Sequence, residues 1–155
     1  MFSVMSSSPT QLISDRLGIR DWSLLVEAAL ALTGASLAIA VLPFRRIARR
    51  ASASENARPS QDPVIARRAG RAIGAWSRWL PWKTVCFQKG LALHWMLRRR
   101  GIASRLHYGV DHHAEQGLRA HVWVSVAGEN VMGGEIAHEF ACLAVFPPAD
   151  TSATR

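Results

Sequence analysis

Cysteine is scarce in this chain, and its scarcity excludes one class of small protein. Only Cys86 and Cys142 occur among the 155 residues. Two thiols cannot make the disulfide framework of a small secreted domain, and unpaired cysteines suit a reducing compartment. The polar, mixed segment from Met1 to Arg20 does not resemble a secretory signal. We therefore expect a cytoplasmic protein with one modest domain and an extension.

The sequence also lacks a run of metal ligands and an internal repeat. No second thiol lies near Cys86 in the sequence, and most of the histidines are scattered. Those considered as ligands are His107, His112, His113, His121 and His138. The adjacent pair His112–His113 could attract a metal, but its position favours an exposed loop. We expect no metal and no cofactor of the chain's own.

Acidic residues are few beside the basic ones, which leaves a formal net charge of +8. Arginines cluster at 45–50, 67–71 and 98–100, and such clusters can bind phosphate or an acidic peptide. No nucleic-acid-reading motif accompanies them, so solvated helix faces and helix ends are the favoured interpretation. We expect no nucleic-acid partner.

The most informative stretch runs from Pro81 to Gly109 and indicates a turn, a helix and a strand. The apolar residues from Cys86 to Leu97 have helical spacing, and three arginines followed by Gly101 mark the helix end. A thiol in the first turn of a helix feels the positive end of the helix dipole, which favours the nucleophilic thiolate. A lone cysteine in that position could equally be a small buried apolar residue.

A histidine further along the sequence favours the catalytic interpretation of Cys86 over the structural one. Residues Leu118 to Val126 alternate between two faces, which predicts a strand with His121 in its interior, and the turn at Ala127–Asn130 predicts a hairpin. A thiol at a helix head followed by a strand histidine is the order of residues in papain-like and transglutaminase-like enzymes. There the histidine takes the thiol proton and later protonates the leaving group. The two features together favour a catalytic pair, Cys86 and His121.

Three motifs make the resemblance specific: the RRRGI end of the helix, the strand SRLHYGV, and the hairpin RAHVWVSVAGENVMGG. Over about residues 71–146 they resemble the leader peptidase of lasso-peptide biosynthesis, the transglutaminase-like B protein. The segment Leu42 to Arg46 also resembles the N-terminal part of that family. The resemblance implies an α+β fold with a transglutaminase-like or papain-like core and an N-terminal helical extension. It also implies that Cys86 is the nucleophile and His121 the base.

The same resemblance implies a function and a set of partners. The chain would be a cysteine endopeptidase that removes the leader from a ribosomally made lasso precursor. Its partners would be that precursor, a separate leader-recognition protein, and a macrolactam synthetase. Any use of ATP would belong to the synthetase. The segment from Met1 to Ser60 is too short and too apolar to be a fused recognition element.

One position departs from the family pattern. The family's third catalytic residue is usually an Asp about a dozen residues past the histidine, which falls near Gly133 here. Glu135 is the candidate replacement, since it would share a strand face with Gly133 and approach His121 across the hairpin. A Cys–His dyad with a solvated Glu135 is the alternative, and Asp111 is an outside option.

The N-terminal part divides into segments by composition. We expect a flexible arm at 1–20, a helical segment at 21–51, a linker at 52–60, the peptidase domain at 61–148 and a loose tail at 149–155. Within the domain, Asp62 and Pro63 predict the start of a helix, and strands are expected at Ile102–Val110 and Glu139–Phe146. The apolar run from Leu24 to Phe44 is long enough to cross a bilayer, and arginines follow it. Its alanines, Glu27 and small polar residues favour a helix packed on the domain or on a partner over a membrane anchor.

Two other functions fit the same sequence. A transglutaminase-like acyltransferase would use the same residues and pass the acyl group to an amine in place of water. A binder of an anionic peptide or nucleic acid that keeps the fold without catalysis is the second.

Overall fold

A computed structural model of the chain describes residues 19–52, 62–80, 85–111 and 117–148. These ranges contain four α-helices, a short 3₁₀ turn at Ala137–Glu139 and four strands. The helices are α1 (Ile19–Val41), α2 (Phe44–Ser52), α3 (Pro63–Trp76) and α4 (Cys86–Arg99). The strands are β1 (Arg105–Asp111), β2 (Arg119–Val126), β3 (Glu129–Met132) and β4 (Ala141–Phe146). The α+β class expected from the sequence is confirmed.

The strands form one antiparallel sheet in the order β3-β2-β1-β4, and α4 crosses one of its faces. Gly90 brings the two together: a Cβ there would lie 2.6 Å from the Val122 side chain and 2.9 Å from that of Leu106. The face that carries Val122 and Leu106 is therefore the inner face of the sheet. Because side chains alternate along a strand, His121 and Trp123 belong to the outer face.

The long apolar helix expected between Asp21 and Phe44 forms as α1 and stops before Pro43. One side of α1 is built into the core, with Leu24, Ala28 and Leu32 packed in the same cluster as α4 and β2. By length and composition α1 could also cross a membrane. Its buried side, however, is part of the hydrophobic core that holds the sheet and the helices together.

Other boundaries differ from the sequence expectations by a few residues. The strand expected from Ile102 begins at Arg105, and the one expected from Glu139 begins at Ala141, after the 3₁₀ turn. Asp62 caps α3 as expected, accepting hydrogen bonds from the backbone of Val64 (2.9 Å) and Ile65 (3.1 Å). Most of the expected arm, the linker and the tail lie outside the described ranges, and the domain boundaries stay predictions.

Candidate active site

Cys86 is the first residue of α4, so the expected helix-head thiol is present. Val85 is the N-cap, and its backbone N–H donates to the Gln88 side chain at 2.9 Å. Val85 has no side-chain acceptor for the first-turn amides, which leaves the positive end of the dipole turned toward the thiol. The thiol is half-buried and unpaired. The segment Trp82–Thr84, which could supply a second donor for an oxyanion, lies outside the described part of the chain.

The thiol lies at an open edge of the sheet. Cys86 Sγ donates to the carbonyl oxygen of Ala120 at 3.9 Å. The Val122 carbonyl points toward β3, since it lies 2.7 Å from where a Cβ of Gly133 would be. Carbonyls two residues apart on a strand point the same way, so that of Ala120 faces the same edge. The strand β3 pairs with β2 only over Val124–Val126, which leaves the edge beside Ala120 free for the thiol.

His121 is the next residue on β2, and its ring leans toward the same edge. Its Nε2 lies 2.7 Å from the carbonyl oxygen of Gly133. A carbonyl can only accept, so Nε2 must carry the hydrogen, and the neutral ring has its free lone pair on Nδ1. Phe140 and Trp123 hold the ring, at centroid distances of 5.0 and 6.1 Å. The structure thus brings a thiol and an oriented imidazole to one edge of β2, from opposite faces of the sheet.

Gly133 occupies the position at which the family resemblance placed an Asp. Its φ is +72°, and a Cβ there would lie 2.7 Å from the backbone oxygen of Val122 and 3.4 Å from His121 Nε2. A side chain at this position is strained by the backbone angle and would force the neighbouring backbone to shift. The backbone carbonyl of Gly133 itself makes the hydrogen bond that an acid would otherwise accept.

Glu135 does not make the contact expected of it. The strand β3 ends at Met132, because Gly133 turns the chain, and Glu135 is exposed in the following turn. The expectation that it shares a strand face with Gly133 is therefore wrong, and the single Nε2 hydrogen of His121 goes to the Gly133 carbonyl. Asp111, the outside option, is buried and accepts from Arg119 Nη1 at 3.3 Å.

The thiol of Cys142 lies close to a histidine. Cys142 Sγ lies 4.0 Å from His107 Nδ1, and His107 Nε2 lies 2.8 Å from the Ser125 hydroxyl. Burial lowers the pKa of His107, and the Arg105 charge lowers it further. His107 stacks on the ring of Trp123 at 5.2 Å, so Trp123 separates the two histidines. Sequence reasoning missed this pair; the signal available was the alternation that places His107 and Trp123 opposite each other once the strand register is known.

Sequence reasoning also missed His94, which lies within α4 and is completely buried. Its Nε2 donates to the Ala51 carbonyl of α2 at 3.1 Å, and its Nδ1 accepts from the Ser104 hydroxyl at 2.9 Å. Burial lowers its pKa to about 4, with Arg98 contributing in the same direction. This neutral ring ties α2 to α4 and does not contact the thiol site.

A metal site was not expected, and the pair His112–His113 falls outside the described ranges. Within those ranges no three His, Cys, Asp or Glu side chains gather closely enough to hold a metal ion. His138 is exposed on the 3₁₀ turn.

A thiol at a helix head and a histidine on the strand beside it are the two groups that enzymes with a cysteine nucleophile and a histidine base combine. The model of the transglutaminase-like superfamily matches residues 29–145, and the chain belongs to that superfamily. Its members are typically enzymes and include cysteine proteases and acyltransferases. Neither the curated proteins nor the solved structures give a significant match.

Proposed function

We propose that this protein is a cysteine endopeptidase that removes the leader peptide from a ribosomally made lasso precursor. The observation that carries the proposal is the placement of the Cys86 thiol 3.9 Å from the carbonyl oxygen of Ala120, the residue before His121, whose ring is fixed by Gly133. Membership in the superfamily supports the thiol chemistry, and the lasso-specific part rests on the motifs around Arg98–Gly101 and His121.

The reaction would proceed by acyl transfer through the Cys86 sulfur. The thiol passes its proton to His121 Nδ1, and the thiolate attacks the carbonyl carbon at the leader–core junction. The tetrahedral intermediate collapses, the C–N bond breaks, and the imidazolium protonates the leaving amine. Water, deprotonated by the same imidazole, then hydrolyses the thioester and regenerates the thiol. The backbone N–H of Cys86 at the helix head supplies one oxyanion donor.

The Gly133 carbonyl takes the place of the third catalytic side chain in this proposal. In a full triad a carboxylate holds the imidazole in the productive tautomer and stabilises its charged form. A carbonyl also performs the first task, because it can accept a hydrogen bond but cannot donate one, so the ring nitrogen that faces it must carry the hydrogen. It carries no full negative charge, so it stabilises the imidazolium less. The site is therefore a Cys–His dyad with a backbone positioning group.

The partners follow from the proposed reaction. The substrate is the precursor peptide, presented by a separate leader-recognition protein, and the product passes to a macrolactam synthetase that uses ATP. The peptidase needs no cofactor or metal of its own for thiol-based hydrolysis, and such free thiols persist in a cytoplasmic, reducing environment. Membrane association is not part of the proposal.

Mass spectrometry of the precursor, incubated with the recognition protein and this chain, tests the proposal. The wild-type chain should release an intact leader and core with a single new amide cleavage. Cys86→Ala should release neither while still binding the recognition protein. Cleavage by Cys86→Ala at the wild-type rate, or no cleavage by the wild type with cognate precursor and recognition protein, would contradict it.

Acyl transfer to an amine is the second candidate, because the superfamily includes acyltransferases. The same thioester would be intercepted by an amine in place of water. Adding a primary amine to the assay separates the two: a peptidase gives a product that gains the mass of water, and an acyltransferase gives one that gains the mass of the amine.

A further inference from the structure

The outer side of α1 is an apolar surface that the described chain leaves uncovered. Trp22, Val26 and Leu30 are 66, 50 and 69% exposed, and Leu37 and Val41 continue the same side at 64 and 69%. Scattered exposed apolar side chains are ordinary, but a row along one side of a helix is typical of a docking surface. The exposed Thr33 is the one polar turn in this row, between Leu30 and Leu37. The buried side of the same helix is fixed in the core, so the row keeps a constant shape.

A hollow of about 470 Å³ runs beside the first half of this row. It lies between α1 and the end of α4, and it is lined by Trp22, Ser23, Val26, Glu27, Leu30 and Arg99. The hollow is shallow and open to solvent, and both apolar and polar groups line it.

Of the charged groups around the hollow, the arginine faces solvent and the glutamate is paired within the domain. Arg100 Nη1 donates to Glu27 at 2.8 Å, so the Glu27 charge is met from within the domain. Arg99 reaches Glu27 only at 3.8 Å and its side chain is 77% exposed, which leaves its guanidinium directed at the surroundings. At the far end of α1, the exposed Arg45 and Arg46 begin α2. A partner for this surface should therefore present apolar side chains to the row and carboxylates to Arg99 and to Arg45 and Arg46.

We propose that the outer side of α1 docks an amphipathic helix of another protein, with a large apolar side chain in the hollow and a carboxylate on Arg99. A row of apolar residues along one side of a helix packs into the groove of a facing helix. A second copy of this chain fits poorly, since it too carries a net charge of +8 and would bring arginine against arginine. The inference does not rest on the peptidase activity.

The test uses a synthetic helix of about 20 residues, long enough to follow α1, with leucines at three- and four-residue spacing and glutamates beside them. A twin probe has lysines in place of the glutamates. Binding of each labelled probe to the full chain carrying Cys86→Ala is measured by fluorescence anisotropy at moderate salt. Hydrogen exchange of α1 with and without the probe locates the contact.

The acidic probe should bind, and Leu30→Glu should weaken it at least tenfold. Val64→Glu is the matched control, because Val64 is 59% exposed on α3, away from the row. Arg99→Glu should weaken the acidic probe and favour the lysine twin. The thermal unfolding midpoint of each variant reports whether it remains folded, and Arg99→Glu is the second arm should Leu30→Glu unfold.

Several results would overturn the inference. These are absence of probe binding, equal loss with Val64→Glu, or no protection of α1 in hydrogen exchange. Binding to vesicles of phosphatidylcholine and phosphatidylglycerol that Leu30→Glu abolishes, without probe binding, would assign the surface to a membrane. A concentration-dependent dimer that Leu30→Glu dissociates would assign it to a second copy.

Discussion

Two histidines, His121 and His107, lie on either side of Trp123. We pair each with a cysteine, His121 with Cys86 and His107 with Cys142, and the pairs differ in what fixes the histidine. His121 donates Nε2–H to the Gly133 carbonyl, which permits one tautomer only. His107 meets the Ser125 hydroxyl, which can donate or accept, so both tautomers satisfy that contact.

The thiols of the two pairs differ in their position. Cys86 begins a helix and is half-buried at an open strand edge, whereas Cys142 is exposed on β4, where strand dipoles nearly cancel. The second pair has a sulfur–nitrogen distance of 4.0 Å, whereas Cys86 contacts the backbone carbonyl of the residue before His121 at 3.9 Å. Only the first pair combines a helix dipole with a fixed tautomer.

The largest expected effect separates the two thiols directly. Cys86→Ala should lower leader release by at least about a thousandfold, because it removes the nucleophile of the proposed reaction. Cys142→Ala should change the rate less than about twofold, since its pair has no part in that reaction. Single-turnover cleavage followed by mass spectrometry measures both. A large loss from Cys142→Ala alone would reverse the assignment of the two pairs.

The next effect tests what fixes His121. Gly133→Ala places a Cβ against the Val122 oxygen and should displace the carbonyl from Nε2. We expect the chemical step to slow by roughly ten- to a hundredfold, with precursor binding little changed. Gly117→Ala is the matched control: its φ is +78°, yet a Cβ there meets no atom within 4 Å. It shares the backbone cost without touching the site.

Nitrogen NMR of the histidine side chains gives a readout that backbone strain alone would not move. His121 should be the Nε2–H tautomer in the Cys86→Ala chain and should lose this preference in Gly133→Ala. His94 provides an internal reference of the same tautomer, since its Nε2 also donates to a carbonyl. A wild-type His121 protonated on Nδ1 would refute the role given to Gly133.

The third prediction concerns how the free energy of unfolding depends on pH. This dependence is separate from any pH dependence of the chemistry at the two cysteine–histidine pairs. The pKa of His94 is lowered from 6.5 to about 4, so below pH 6.5 the unfolded chain binds a proton that the folded chain does not. Stability should therefore fall as the pH drops from about 6.5 to 4, by about 3 kcal/mol from this residue, and stay level above 6.5.

Urea unfolding between pH 4 and 8 measures this effect, and His94→Leu should flatten the curve. That variant should also cost about 1–3 kcal/mol at neutral pH, because the Ala51 carbonyl and the Ser104 hydroxyl lose their partner. His138→Gln, at an exposed histidine, should leave the curve unchanged. An unaltered slope in His94→Leu would assign the pH dependence to other groups, His107 among them.

The smallest expected effect comes from Glu135. Because Glu135 is exposed in a turn and the Nε2 hydrogen of His121 is already taken, Glu135→Gln should change the chemical step less than about twofold. Glu139→Gln serves as the matched exposed control. A tenfold loss in Glu135→Gln alone would show that the carboxylate reaches the ring during turnover and that the Gly133 bond gives way.

Local patterns in the sequence predict the positions of several helices, strands and turns of this protein. Helical spacing ending in RRRG placed Cys86 at a helix head, and strict alternation placed His121 inside a strand. Asp62 and Pro63 marked the start of α3, and the residues Ala127 and Gly128 form the hairpin turn with φ of 52° and 83°. Each of these features depends on neighbours within a few positions, so the sequence determines it directly.

Only the tertiary structure decided what completes the site. The family spacing from His121 predicts the third group near Gly133. That group is a backbone carbonyl, which every residue has, so no sequence pattern marks it. Whether that carbonyl reaches His121 depends on where β3 ends and on the register of the hairpin. The pairing of His107 with Cys142 likewise requires β1 and β4 to be neighbours, and long-range strand order is not encoded in any local segment.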